Sequence, residues 1–282
     1  MKLNLDTAEL YIPDGTPEET ALSRTTHLAI AAHQDDIEIM AYDGILACYQ
    51  QSDKWFTGVV VTNGSGSPRT GLYADYSDED MMAVRRREQK KAAAIGEYSA
   101  MFLLDYPSGA VKDPKNQQTI WDLRAILEAT QPEIVYTHNL ADKHDTHVGI
   151  TLRLITAIRQ LPGKIRPKKL YGCEVWRDLD WMTDTDKTAF DVSAHENLQA
   201  ALLGIFDSQI AGGKRYDLAT LGRRRAHATY HASHGVDETT GTIFAMDLTP
   251  CITDPMKEPM DILLEHIGRF QEEVKARVGK LQ

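Results

Sequence analysis

An imidazole and two carboxylates fall within four positions in His33-Gln34-Asp35-Asp36, immediately after the apolar run Leu28-Ala29-Ile30-Ala31. A second stretch, Thr137-His138-Asn139-Leu140-Ala141-Asp142-Lys143-His144-Asp145-Thr146-His147, follows Ile134-Val135-Tyr136. His144 and His147 are three apart, so at the start of a helix both reach one crevice. Catalytic zinc takes three ligands from His, Asp or Glu and leaves a position for water. His33 and Asp36 can supply two of them and His147 the third. Neighbouring side chains diverge, so Asp35 and Asp36 divide into base and ligand. Asp35 then stands beside a water whose pKa the ion lowers to about 7, ready to move its proton to a leaving nitrogen. His144, facing the same space, could donate to an oxyanion. These parts suit hydrolysis of an amide. Singly, the first stretch also reads as a capped loop and the second as a solvent-facing run; together, at two strand ends, they point to one divalent ion.

The surrounding pattern supplies such strand ends. Apolar runs at 27–32, 56–62, 100–105, 133–136 and 169–176 alternate with helical periodicity at 38–50, 78–96, 116–130 and 146–161. That alternation predicts βαβ units and hence a Rossmann-like, mainly parallel sheet flanked by helices. Open sheets of this kind place ligands at the carboxyl ends of their strands. Residues 1–24, with Pro13, Gly15 and Pro17, read as an irregular arm. Residues 210–282 read as a C-terminal elaboration of one domain spanning 1–282: a helix at 218–234, an edge strand at 241–248 and an amphipathic helix at 261–278. His227, His231 and His234, at i, i+4 and i+7, suggest a polar face with one imidazole reaching the site, or a second metal. Residues 177–188 read as polar and irregular.

The net charge of −10 argues against nucleic-acid binding, and Arg85-Arg86-Arg87 and Arg223-Arg224-Arg225 read as solvated faces or small anion contacts. Cys48, Cys173 and Cys251 are widely spaced without a C-x-x-C pair, which suits free thiols in a reducing compartment. Neither a signal peptide nor a membrane-spanning run is evident, so the cytoplasm is the expected location, with no membrane partner. Self-association is permitted by the exposed terminal helices. A nucleotide-binding enzyme of the doubly wound type is disfavoured because no G-x-G-x-x-G follows the first strand.

The motifs also carry a resemblance. A-H-Q-D-D-I-E resembles the A-H-P-D-D-E signature, and H-D-T-H the H-P-D-H signature, of the PIG-L or LmbE-like zinc-dependent N-acetylglucosaminyl deacetylases. T-N-G-S-G, Arg85-x-x-Glu88 and Asp207-Ser208-Gln209 resemble supporting segments, and the likeness extends over roughly 26–210. It implies that His33, Asp36 and His147 bind one zinc ion, that Asp35 is the general base and that His144 assists as acid or at the oxyanion. It further implies that Arg85 contacts substrate; as structure alone, Arg85 and Glu88 would be an i,i+3 surface pair. Gln34 stands where the family has proline, which removes a stiff turn but no chemical group. Thr146 stands where the family has a carboxylate that orients the histidine, leaving Asp142 or Asp145 for that role. Trp176 and Arg177, ending the fifth strand, could line a substrate pocket, and Asn63 in the 63–68 turn could bind hydroxyls. The expected activity is removal of an acetyl group from an N-acetylglucosamine-type sugar or small glycoconjugate. The alternatives are an amidase of a larger thiol or sugar conjugate, and a non-catalytic zinc- or sugar-binding module.

Overall fold

The computed structural model describes residues 1–282. The first half of the chain runs β1 (Glu9–Tyr11), α1 (Glu18–Ser23), β2 (His27–Ala31), α2 (Asp36–Met40), α3 (Tyr42–Cys48), β3 (Phe56–Thr62), α4 (Asp78–Ile95), β4 (Ala100–Tyr106), α5 (Ser108–Lys112) and α6 (Gln118–Thr130). It continues with β5 (Ile134–His138), α7 (Asp145–Arg159), β6 (Lys169–Cys173), β7 (Lys187–Asp191), α8 (Glu196–Gly204) and α9 (Asp207–Ile210). Last come α10 (Tyr216–Tyr230), β8 (Thr242–Asp247), α11 (Pro250–Thr253) and α12 (Pro259–Gly279). No helix is long and apolar enough to cross a membrane.

The eight strands form one mixed α/β sheet in the order β1-β4-β3-β2-β5-β6-β8-β7. The central five, from β4 to β6, are parallel; β1, β8 and β7 join antiparallel. β2 is buried along its whole length, as a parallel strand covered on both faces must be. Its Leu28 and Ile30 enter the core on one side of the sheet, and Ala29 and Ala31 enter the core on the other. From β2 the chain crosses to β3 on one side, whereas β5 pairs with β2 on the other. The strand order therefore reverses between β2 and β5, and a crevice opens beyond their carboxyl ends. Both chemistry-bearing stretches emerge there.

α4 is set by a capping box: Ser77 Oγ accepts the Asp80 N–H at 3.1 Å and Asp80 Oδ2 accepts the Ser77 N–H at 3.0 Å. Its buried face is Met81, Arg85, Glu88, Gln89, Ala92 and Ala93. The spacing is that of an inward helical stripe, but three of its members are polar or charged. Of these, Arg85 and Gln89 lie against the loop after β2.

Four expectations change. The N-terminal arm is not irregular, because β1 extends the sheet beside β4 and α1 follows it. The helix expected from Glu38 begins at Asp36 and breaks at Ala41, whose φ of −116° is not helical. The 241–248 segment is an interior strand: β7, arising from the end of the segment read as irregular, pairs along β8 and takes the edge. Lys-Thr-Ala-Phe-Asp has too little apolar alternation to stand out from the polar run before it. Finally, the helix expected to reach His234 ends at Tyr230, so His231 sits at its cap and His234 beyond it.

Candidate active site

Three donor atoms converge at the switch point. His33 Nδ1 lies 3.2 Å from Asp36 Oδ2 and 3.2 Å from His147 Nε2, and His147 Nε2 lies 3.3 Å from Asp36 Oδ2. Donors about 2.1 Å from a tetrahedral ion stand roughly 3.4 Å apart, so this nearly equilateral triangle fits a small divalent cation. The electrostatics agree. Burial would push the Asp36 carboxyl up, but the surrounding imidazoles of His147, His33 and His138 hold it well below the usual carboxylate range. Burial would likewise strip the His147 imidazole of its proton, yet Asp36 and Asp142 hold it at about 9. The pocket thus favours positive charge at the point where the donors meet.

Other imidazoles crowd the same place. His33, His144 and His147 form one cluster of possible ligands and Asp36, His138 and His147 another. His138 stacks on His147 with ring centroids 3.8 Å apart, but its Nε2 already accepts the Ala32 N–H at 2.9 Å. It ties the end of β2 to the end of β5 and is not free to ligate through that atom. His144 stacks on His147 at 4.6 Å and meets His33 edge-on at 5.0 Å. It is half-buried and its Nδ1 has no protein partner.

Asp142 stands behind the triangle. Its Oδ1 lies 3.5 Å from His147 Nδ1 and accepts the His144 N–H at 2.9 Å. Its Oδ2 accepts the N–H groups of Trp176 at 3.0 Å and Arg177 at 3.4 Å. The orienting role expected at the His144 ring therefore falls instead on the His147 ring, the carboxylate–histidine–metal arrangement of many metal sites. Asp145 is exposed in the first turn of α7, where an acid suits the helix dipole, and does not orient His144. Asp142→Asn is expected to weaken metal affinity about 10–100-fold, which isothermal titration with a divalent metal would measure.

Asp35 occupies a rare backbone state, with φ 95° and ψ −31°, a conformation that costs a non-glycine residue about 1–3 kcal/mol. Gln89 Oε1 accepts its N–H at 3.3 Å, and Arg85 Nη2 lies 3.5 Å from its carboxylate. Burial pushes the Asp35 carboxyl well up, Arg85 pulls against that, and Asp36 and Glu38 reinforce it. Arg85 is buried and its donors are largely committed: Nε to Gln34 Oε1 at 3.1 Å, Nη1 to Ser67 Oγ at 2.7 Å and Nη2 to the Gln34 carbonyl. Gln34 Nε2 in turn donates to the Thr62 carbonyl at 3.1 Å. Gln34 is thus more than a proline without its ring, since its amide couples Arg85 to the end of β3. Arg85 and Glu88 are no surface pair, because Glu88 turns away to accept the N–H and hydroxyl of Ser208 at 2.8 and 2.6 Å.

Gly64 makes that arrangement possible. Its φ is +76°, and a Cβ there would lie 2.5 Å from Gln34 Oε1 and 2.9 Å from Arg85 Cδ. Gly64→Ala is expected to destabilise the fold by about 1–3 kcal/mol through backbone strain and overpacking. Urea melts would read that loss, and turnover should fall while metal content is kept.

A cavity of about 410 Å³ opens over these groups and is lined by His33, Asp35, Asp36, Arg85, His144 and Trp176 among others. Asn63 and Arg177 are not in its lining. Asn63 Oδ1 closes its own turn by accepting the Ser65 N–H at 3.2 Å, while Arg177 is exposed with only its backbone tied to Asp142. His227, His231 and His234 are also absent from the lining; His227 stacks on Phe244 at 4.1 Å, with Glu174 3.4 Å from its Nδ1. Sequence reasoning missed several contributors. Tyr216 lines the cavity, as does Gln209, which the sequence offered only within a supporting segment, and the Gln209 amide nitrogen is buried without a partner. Gln89, one helical turn after Arg85, braces Asp35 and donates at 2.8 Å to Glu38. Glu38 is fully buried, also accepts the Tyr98 hydroxyl at 2.8 Å, and has its carboxyl pushed by burial to about 7. The i,i+4 placement of Gln89 after Arg85 was the one signal available for it.

Comparison with known proteins adds three findings. A family model described as PIG-L, GlcNAc-PI de-N-acetylase, matches residues 28–158. A search of curated proteins found no match. Among solved structures, the chain is similar to a 4-carboxy-2-hydroxymuconate hydratase from Pseudomonas putida, with 18% identity, TM-score 0.59, and 79% of this chain and 95% of that one covered. It is similar to a conserved protein of Thermus thermophilus at 17% identity and TM-score 0.59, covering 82% and 98%. It is also similar to an N,N'-diacetylchitobiose deacetylase from Pyrococcus horikoshii at 17% identity and TM-score 0.58, covering 79% and 84%.

Proposed function

Residues 28–158 are the PIG-L family portion of this chain, and on that premise we propose that it is a metal-dependent hydrolase. Its reaction is removal of the acetyl group from an N-acetylglucosamine-type sugar or small glycoconjugate. The observation that carries this reading is the donor triangle of His33, Asp36 and His147, with Asp35 beside it and His33, Asp35 and Asp36 lining the cavity. These three side chains would hold the ion, with zinc the first candidate. When bound, a divalent ion there polarises an acyl carbonyl and acidifies a neighbouring water.

The chain's own groups then divide the work. Asp35 takes a proton from the attacking water as the O–C bond forms and returns it to the amide nitrogen as the C–N bond breaks, leaving acetate and a free amine. Gln89 and Arg85 hold Asp35 in place. His144 donates a hydrogen bond to the developing oxyanion. Asp142 fixes the His147 ring and the His144 backbone together, so ligand and oxyanion donor keep one spacing. Trp176 offers a sugar ring an aromatic wall, edge-on to Tyr216 at 6.0 Å.

The experiment is metal analysis of the purified protein combined with acetate release from a panel of N-acetylglucosamine conjugates. One ion per chain and acetate release from at least one conjugate are expected. The fold itself does not decide the reaction, since one similar structure is a hydratase. Stoichiometric metal without acetate release from any conjugate would overturn the deacetylase reading.

A further inference from the structure

α12 runs for 21 residues, about 31 Å at 1.5 Å per residue, yet only Ile262 and His266 along it are buried. Its anchors lie in the first half. His266 and Arg269 meet Asp186, and Phe270 lies edge-on to Trp181 at 6.5 Å. From Gln271 to Gly279 every residue but the half-buried Glu273 is exposed. An isolated helix of this length is marginal in water. Phe270, also exposed, lies beside Trp181; the other exposed apolar side chains, Met260, Leu264, Ile267, Val274, Val278 and, just past the helix end, Leu281, form one row. Their steps of four, three, seven, four and three residues are the heptad spacing of a coiled-coil seam, with Gln271 in the remaining seam position.

We propose that α12 pairs antiparallel with α12 of a second copy of this chain. A seam of this kind is self-complementary, as a two-fold interface requires. Two observations set the direction. In antiparallel register, with Leu264 opposite Val274 of the second copy, Asp261 flanks the seam opposite Lys275, and the pair occurs twice by symmetry. A parallel register would set Lys275 opposite Phe270. In addition, the first turns of α12 and the outer face of α7 enclose an apolar groove of about 320 Å³ whose walls include Val148, Leu152, Met260 and Leu263. Antiparallel pairing delivers Val278 and Leu281 of the second copy to that groove, so each projecting end is received by the other copy's anchored half. An anionic membrane surface is a poorer occupant: Asp261, Glu265, Glu272 and Glu273 outnumber Arg269, Lys275 and Arg277 on this helix.

No α12 residue lines the catalytic cavity, so the pairing is separable from turnover. Sedimentation equilibrium of the full chain at micromolar concentration should give a dimer, and Val274→Asp a monomer with unchanged acetate release. Lys275→Glu should weaken the dimer several-fold, and the double variant Asp261→Lys/Lys275→Glu should restore it, an outcome that loss of helix alone would not produce. Under oxidation, Phe270→Cys, at the two-fold, should link two copies, whereas Val278→Cys should not. A monomeric wild type, a dimer indifferent to Val274→Asp, linkage through Val278→Cys in place of Phe270→Cys, or binding of wild-type monomer to phosphatidylglycerol vesicles would overturn the proposal.

Discussion

Asp35→Asn is expected to lower kcat for acetate release by about 10²–10⁴-fold, the usual worth of a positioned general acid–base group, while the metal stays at one ion per chain. The two readouts separate because Asp35 is not one of the three converging donors: its carboxylate faces Arg85. Asparagine is the informative replacement. It tolerates positive φ better than most residues, and the native φ of 95° would turn a bulkier substitution into a backbone experiment. Turnover within a few-fold of wild type would remove Asp35 from the proton transfer. Loss of metal would instead show that the triangle depends on this turn.

Asp36→Ala strikes the other half of the site. Asp36 Oδ2 is its common node, at 3.2 Å from His33 Nδ1, 3.3 Å from His147 Nε2 and 3.6 Å from His138 Nε2, and it also accepts the His33 N–H at 2.7 Å. Removing it takes away a donor and the negative charge that offsets the imidazoles. Metal affinity should therefore fall further than the about 10–100-fold typical when only an orienting partner is lost, and acetate release should fall to background. Added metal raises the Tm of a protein that binds it only when folded; that rise should be present in wild type and absent in Asp36→Ala. The apo variant should also lose roughly 1 kcal/mol, because the part-buried His33 N–H is left without its acceptor. A metal-dependent Tm rise that survives the substitution would place the ion on other groups, the His33, His144 and His147 cluster first.

The two predictions differ in what each part of the chain made visible beforehand. His33 and Asp36 could be named from spacing, because a strand followed by a tight loop leaves few directions for residues two to five places past its end, and His147 from its place three residues after His144 at a helix start. Asp142 could be named but not aimed. Whether its carboxylate met His144 or His147 depended on how the loop from Asn139 folded back, which is set by the backbone of Trp176 and Arg177 more than 30 residues later. Gln34 was misjudged for the same reason, since its partners Arg85 and Thr62 are remote in the chain.

The sequence by itself determined the alternation of strands and helices, the two loops that carry the chemistry and the amphipathic character of the terminal helix, because these follow from local periodicity and short-range turns. Only the tertiary structure decided that β2 and β5 are neighbours at the point of reversal, which turns two separate loops into one triangle of donors. It also decided which polar residues are buried. Arg85, Gln89 and Glu38 look like surface groups in a helical pattern, but a polar group without water must find a partner, and theirs are groups on other segments brought near by the sheet order. Periodicity specifies which face of an element is apolar; the packing of distant elements specifies what that face meets.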